Sequence, residues 1–333
     1  MTLSIVLIIV GLLLLVGGGE LLVRGASSVA TLARVHPVVI GLTVVAAGTS
    51  MPELVVSIQS AIIGSPALAV GNVVGSNIFN VAAILGIAAL IGPLHIQGST
   101  IRLEWPVMFL ASCQLHLLGR SGGGSAASDT GAIDRLEGGF LFISLVVFLF
   151  YILRVARRDA SAAEADQFAE HSAAPLIGAG RSRRAWLMSA AAVIGGALVL
   201  VAGSTSLVRG AVELARGVGM SETVIGLTIV AAGTSLPELA ASAVASWRGH
   251  NDIAVANVIG SNIFNILGIL GLTAIVHPLP IAAEVLARDN WWMLGFAAAL
   301  FPIIWTGRRV SRAEGGLLFA GFCAYLAVLL STR

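Results

Sequence analysis

Apolar stretches of about 20 residues, enough helical rise to cross a hydrocarbon layer of about 30 Å, follow one another along the whole chain with short polar interruptions. Their pattern predicts ten helices, near residues 3–23, 37–63, 68–92, 104–119, 138–154, 186–208, 222–247, 253–276, 290–306 and 314–331. The expected fold class is an all-α integral membrane protein. A second regularity is superimposed on the first. Residues 41–94 return as residues 226–279 at a constant offset of 185, without insertion and with 30 of 54 positions identical. The identities gather on polar and helix-breaking residues inside apolar surroundings, and Arg24 and Arg209 extend the same offset upstream. Each copy carries five predicted helices, an odd number, so the second enters the membrane from the opposite side. The ten helices are therefore expected to form two inverted-topology repeats of five, the arrangement of secondary transporters with a site at the midplane.

This organisation divides the chain into a first repeat at 1–155 with its core at 37–94, a linker at 156–185, and a second repeat at 186–333 with its core at 222–279. The linker is polar, with Arg157, Arg158, Asp159, Glu164, Asp166, Glu170 and His171 in an Ala-rich context, and it is too short for a folded regulatory domain. Residues 119–131 read as a flexible Gly/Ser-rich connector.

Composition supports the membrane class: 57% of residues are hydrophobic and 11% charged, against roughly a quarter charged in soluble domains. The net charge of +2 suggests no nucleic-acid partner. Every basic residue is Arg. Placing the N-terminus outside puts Arg24, Arg34, Arg102, Arg154, Arg157, Arg158, Arg181, Arg183, Arg184, Arg248, Arg308, Arg309 and Arg312 on the inner side. The positive-inside rule then predicts a multi-pass protein of the cell membrane with both termini outside and the linker cytoplasmic. The first apolar run has no basic residue before it and no small-residue cleavage site, so a mature helix is expected rather than a signal peptide. Cys113 and Cys323 have no paired spacing and predict neither a disulfide nor a metal knuckle. Glu20 and Arg24, four apart, predict a helix-surface ion pair; the copy of Glu20 is Thr205, so that acid is outside the duplication.

The candidate chemistry lies in the repeated cores. Pro52 cannot donate to the carbonyl of Gly48, nor Pro237 to that of Gly233, so each copy interrupts a helix where lipid demands internal hydrogen bonding. Thr49 with Glu53, and Thr234 with Glu238, set hydroxyl and carboxylate on one helix face. The following helices carry Ser76 with Asn80, and Ser261 with Asn265, at the same spacing. This inventory of carboxylate, hydroxyl, carboxamide and carbonyl contains no Cys, His or Met, and it favours a hard cation. Flexible oxygen coordination suits calcium better than magnesium. A carboxylate at the centre of a membrane helix costs about 2.5 to 3.5 kcal/mol on the insertion scale, which argues against a merely structural role for Glu53 and Glu238. Ser57 and Ser242, one turn beyond each Glu, read more readily as small packing residues.

The runs Gly48-Thr49-Ser50-Met51-Pro52-Glu53 with Gly75-Ser76-Asn77-Ile78-Phe79-Asn80, and Gly233-Thr234-Ser235-Leu236-Pro237-Glu238 with Gly260-Ser261-Asn262-Ile263-Phe264-Asn265, closely resemble the paired alpha repeats of the sodium/calcium exchangers, in the calcium:cation antiporter superfamily. The resemblance implies that Glu53 and Glu238 bind calcium or sodium, with Thr49, Ser50, Thr234 and Ser235 beside them. It implies coordinating roles for Ser76, Asn80, Ser261 and Asn265 and for the carbonyls of Ala46 and Ala231, and a sliding of the first and sixth helices over the rest. Where this chain has Asn265, archaeal and potassium-dependent members often carry Asp, so the resemblance implies two central acids rather than three and weakens a potassium co-transport reading.

The function expected is a secondary antiporter exchanging calcium for sodium by alternating access, with no cofactor, its partners being membrane lipid and the two ions. The alternative is a calcium/proton antiporter, because facing carboxylates also carry protons. An enzyme would need a nucleophile with a base in reach, and no intramembrane His accompanies the Thr-Ser motif. A channel would normally draw its pore from several subunits. Here the duplication completes one site within one chain, which is compatible with a monomer.

Overall fold

Helices account for nearly all of the regular structure, and their ends follow local chemistry. The computed structural model describes residues 2–96, 98, 100–121, 131–158, 182–218 and 231–331. Helix α1 spans Thr2–Ala33. The next span is interrupted: α2 covers Pro37–Thr49 and α3 Met51–Ile62. His36 caps α2, its Nδ1 accepting from the Val38 amide at 3.3 Å, and Pro37 sits where a helix needs no amide donor. Then come α4 at Ala67–Ile91, α5 at 100–121, α6 at Arg135–Arg158 and α7 at Arg183–Gly217, which Ser182 caps through the Ala185 amide. A short turn at Ala231–Gly233 precedes α8 at Leu236–Trp247. The chain closes with α9 at Asn251–Val276, α10 at 285–307 and α11 at Arg312–Ser331.

Among the described residues six helices are long and apolar enough to cross a membrane, or seven if the bent pair α2 and α3 counts as one span. Large apolar side chains such as Leu13, Leu110, Phe140, Ile143, Leu198 and Leu317 stand on the outside of the protein, as lipid rather than water would favour.

The duplication is visible in backbone detail. Gly64 (φ 86°) and Gly249 (φ 79°), at the repeat offset, adopt the left-handed conformation that glycine tolerates and close equivalent connections. Segments of π-helix interrupt α4 at Phe79–Ile84 and α9 at Phe264–Leu270, and open α5 at Thr100–Glu104 and α10 at Val285–Asp289. Two short antiparallel pairs tie loops together, with Leu94 opposite Val310 and Ile133 opposite Leu279.

The chain forms two compact units, and each is drawn from both copies. One contains residues 1–50 and 152–257, the other residues 51–151 and 258–333. In the first, α1 and α7 pack at close range. A Cβ on Gly11 would fall 2.6 Å from the Leu207 amide nitrogen, and one on Gly196 would fall 2.5 Å from that of Leu22, so both positions exclude a side chain. This packing explains why α1 runs to Ala33 and α7 to Gly217, past the predicted ends at 23 and 208. The hydropathy fades near Glu20, but Arg24 pairs with Glu20 at 2.5 Å, and Gly25 to Ser28 and Ala30 remain buried. Arg248 joins the same carboxylate at 2.7 Å. The second unit has its core on α4, α5, α6, α9 and α10, with Val73, Ile84, Met108, Leu115, Leu141, Ile259, Ile266 and Leu300 buried. Residues 159–181 of the predicted linker with His171, the centre of the loop at 119–131 and the start of the predicted helix at 222–247 lie outside the described residues; residues 156–158 end α6, and 183–185 open α7 behind its cap Ser182.

Candidate functional site

In the unit formed by residues 1–50 and 152–257, the end of α2 meets the start of α8. Ser50 ends α2 with φ −81° and ψ 8°, outside helical geometry, and its hydroxyl donates to Glu238 Oε1 at 2.9 Å. Thr49 and Glu238 are fully buried. The Thr49 hydroxyl lies 3.1 Å from the Val45 carbonyl and 3.2 Å from Asn257 Oδ1. Asn257 is also fully buried, and its amide donates to Ser242 Oγ at 2.9 Å and to the Glu238 carbonyl at 3.4 Å. Glu238 Oε2 receives no hydrogen bond from the described residues.

The carbonyls freed by the helix breaks are not all idle. Ser204 on α7 donates to the Gly233 carbonyl at 2.5 Å, so the oxygen that Pro237 cannot reach is already engaged. The Ala46 carbonyl accepts the Ser50 amide at 3.0 Å and lies 3.3 Å from the Thr49 hydroxyl. Ser235 is buried and Thr234 half-buried in the same unit. Ala231 is described in its backbone, within the turn that precedes α8.

The unit of residues 51–151 and 258–333 holds the rest. Glu53 and Ser57 on α3 are fully buried, and the Asn72 amide of α4 donates to Ser57 Oγ at 3.4 Å. Where α4 and α9 meet, four buried asparagines bond to one another. Asn80 donates to Asn262 Oδ1 at 2.9 Å, and Asn265 donates to Asn77 Oδ1 at 3.0 Å. Asn77 donates to the Asn262 carbonyl at 3.3 Å, and Asn262 donates to the Asn77 carbonyl at 3.2 Å. The repeat offset converts each bond of the pair into the other. Ser76 and Ser261 are buried alongside, and Ser261 Oγ, Asn80 Oδ1 and Asn265 Oδ1 have no hydrogen-bond partner among the described residues.

Thus Thr49, Ser50 and Glu238 come together in one unit, and Ser76, Asn80, Ser261 and Asn265 are buried in the other, with Glu53 one helix away on α3. The sequence pattern assigned no role of their own to the asparagines that bond to these residues or to their neighbours: Asn72, Asn257, Asn77 and Asn262. Their signal was available, since all four recur at the repeat offset. Ser204 had none, because its counterpart is Gly19.

Oxygen groups of this kind, in each unit, suit a hard cation. The acceptors are carboxylate, hydroxyl and amide oxygens, several without a donor, and among the described residues no three His, Cys, Asp or Glu side chains converge as a transition metal would require. The family model "Sodium/calcium exchanger protein" matches residues 3–154 and 188–331, which covers both copies of the motif. The chain belongs to this sodium/calcium exchanger family. It is 37% identical over 330 residues to the inner membrane protein YrbG of Escherichia coli K12, covering 99% of this chain and 97% of that protein. To the sodium/calcium exchanger MaX1 of Methanosarcina acetivorans it is 30% identical over 352 residues, covering 98% and 99%. Among solved structures, the sodium-calcium exchanger NCX_Mj, in a crystal soaked with zero sodium and calcium, superposes with a TM-score of 0.81 at 26% identity, covering 100% of this chain and 99% of that one. The protein is accordingly a membrane protein of an exchanger family, and its polar clusters lie within the matched residues.

Proposed function

We propose that this exchanger is a secondary antiporter that moves calcium against sodium by alternating access. Its ten transmembrane helices form two inverted-topology repeats of five, with both termini outside and residues 156–185 in the cytoplasm. Glu53 and Glu238 are the charged ligands. Thr49, Ser50, Thr234, Ser235, Ser76, Asn80, Ser261 and Asn265 supply neutral oxygens, with the carbonyls of Ala46 and Ala231. The two carboxylates carry the charge of one calcium ion or of two sodium ions, so either load leaves the protein electrically balanced.

The observation that carries this reading is the set of buried oxygens left without a donor at the repeated motifs, namely Glu238 Oε2, Asn80 Oδ1, Asn265 Oδ1 and Ser261 Oγ. Burying an acceptor unpaired costs about 1 to 3 kcal/mol, and a cation offsets that cost. Asn265 adds no third acid, so transport is expected to be independent of potassium. Calcium uptake by proteoliposomes with sodium, potassium and proton gradients imposed separately tests the proposal. A sodium gradient alone should drive uptake. Uptake driven only by a pH gradient would replace sodium with the proton as counter-ion.

A further inference from the structure

We propose that Asn77 and Asn262 are positioning residues that fix which end of the Asn265 and Asn80 carboxamides is offered to the transported cation. A carboxamide has two nearly isosteric ends, and only the oxygen end binds a cation. For a neutral Asn ligand, selection of that end is part of the site. The inference rests on the exchange reading above.

The polarity is set by a relay that starts at the backbone. The Asn77 carbonyl can only accept, so the Asn262 group 3.2 Å from it must be the NH2. Asn262 Oδ1 is thereby turned towards Asn80, and the Asn80 group 2.9 Å away must in turn be an NH2. Asn80 Oδ1 is left as the free end. The same relay runs from the Asn262 carbonyl through Asn77 to Asn265, at 3.3 Å and 3.0 Å. A flip of either terminal amide would set oxygen against oxygen in a place closed to bulk solvent: the four residues are 1% (Asn77), 1% (Asn80), 3% (Asn262) and 0% (Asn265) exposed. The free ends are the two carboxamide oxygens of this quartet that find no partner among the described residues. Asn80 and Asn265 lie within the π-helical turns that begin at Phe79 and Phe264, and π turns are common where backbone and side chains are arranged for function. Each relay passes between α4 and α9, so one copy of the repeat orients the ligand of the other.

The test is calcium titration of the purified full-length protein, because a carboxylate, unlike a carboxamide, has no wrong end. Asn262→Ala should weaken calcium binding about tenfold, the loss of roughly one net hydrogen bond's worth of orientation. Adding Asn80→Asp in that background should bring affinity back to within about threefold of wild type, since either rotamer then presents oxygen. A residue that only holds the helices together would not be rescued by a change of ligand chemistry. Asn262→Ala binding calcium as wild type does, or Asn80→Asp failing to restore it, would overturn the proposal. If Asn262→Ala does not fold, the symmetry-related pair Asn77→Ala with Asn265→Asp carries the same expectation. Side-chain amide hydrogen exchange in wild-type protein labelled with 15N-asparagine gives an ion-free reading. The Asn80 and Asn265 NH2 groups should exchange slowly, and fast exchange at both would also sink the relay. A wild type with protected amides that neither binds nor exchanges calcium would instead contradict the assigned function.

Discussion

Asn257 and Asn72 occupy the same place in the two copies of the repeat, yet they are held differently. Asn257 is fully buried and bonds to Thr49, Ser242 and the Glu238 carbonyl, tying three helices of its unit together beside Glu238. Asn72 is half-buried, and its bond to Ser57, at 3.4 Å, is longer than the 2.9 Å equivalent at Asn257. The duplicated pair of residues is the same; its environment is not. Under the exchange reading proposed above, two copies that alternate in conformation would differ in this way.

The largest effect should come from the carboxylates in either half. Glu53→Gln and Glu238→Gln keep shape and remove a charge that a divalent ion needs, so each should lower calcium exchange by ~100-fold or more in flux assays while the protein remains folded. If one Gln variant exchanged normally, the two halves would not contribute equivalently to the ion site. The asparagines come next. Asn257→Ala strips partners from Thr49 and the Glu238 carbonyl at a cost of about 1 to 3 kcal/mol. Calcium exchange should fall roughly tenfold or more, against about threefold or less for Asn72→Ala, whose one side-chain hydrogen bond among the described residues is long. Equal losses would mean that the difference in burial has no functional weight.

A smaller effect separates the halves by stability rather than transport. Ser204→Ala leaves the Gly233 carbonyl without its hydroxyl donor, and thermal unfolding in detergent should report a loss of about 1 to 2 kcal/mol. The smallest concerns His250, in the connection between α8 and α9. Burial pushes its pKa below the ordinary 6.5, opposed in part by Glu20. The unfolded chain therefore takes up a proton near pH 6.5 that the folded chain refuses, and stability should fall as pH drops through that value. His250→Gln should flatten this part of the stability profile, read as thermal stability against pH.

Much of the fold was legible because lipid imposes a simple rule: backbone groups must pair within a segment, so long apolar runs become helices. The interruption at Ser50 and the turns at Gly64 and Gly249 could likewise be read from Pro and Gly. Helix ends were less legible. The extension of α1 from residue 23 to Ala33 depends on close packing against α7, which hydropathy does not record. The candidate ligands were visible as polar residues repeated at one offset, whereas the asparagines that orient them were passed over. A repeated Asn announces that something is kept, and only its partners tell whether it binds an ion or aims a neighbour.

The sequence by itself determined the membrane class, the duplication and the oxygen-only chemistry, because each depends on residue type, spacing and the solvent around the chain. The tertiary structure decided which copies are interleaved into each compact unit, that Ser204 takes the Gly233 carbonyl, and that Asn77 and Asn262 set the polarity of Asn265 and Asn80. Those outcomes turn on hydrogen bonds between residues 29 to 188 positions apart. Such bonds have direction and length limits of a few tenths of an ångström, and no periodicity along the chain encodes them.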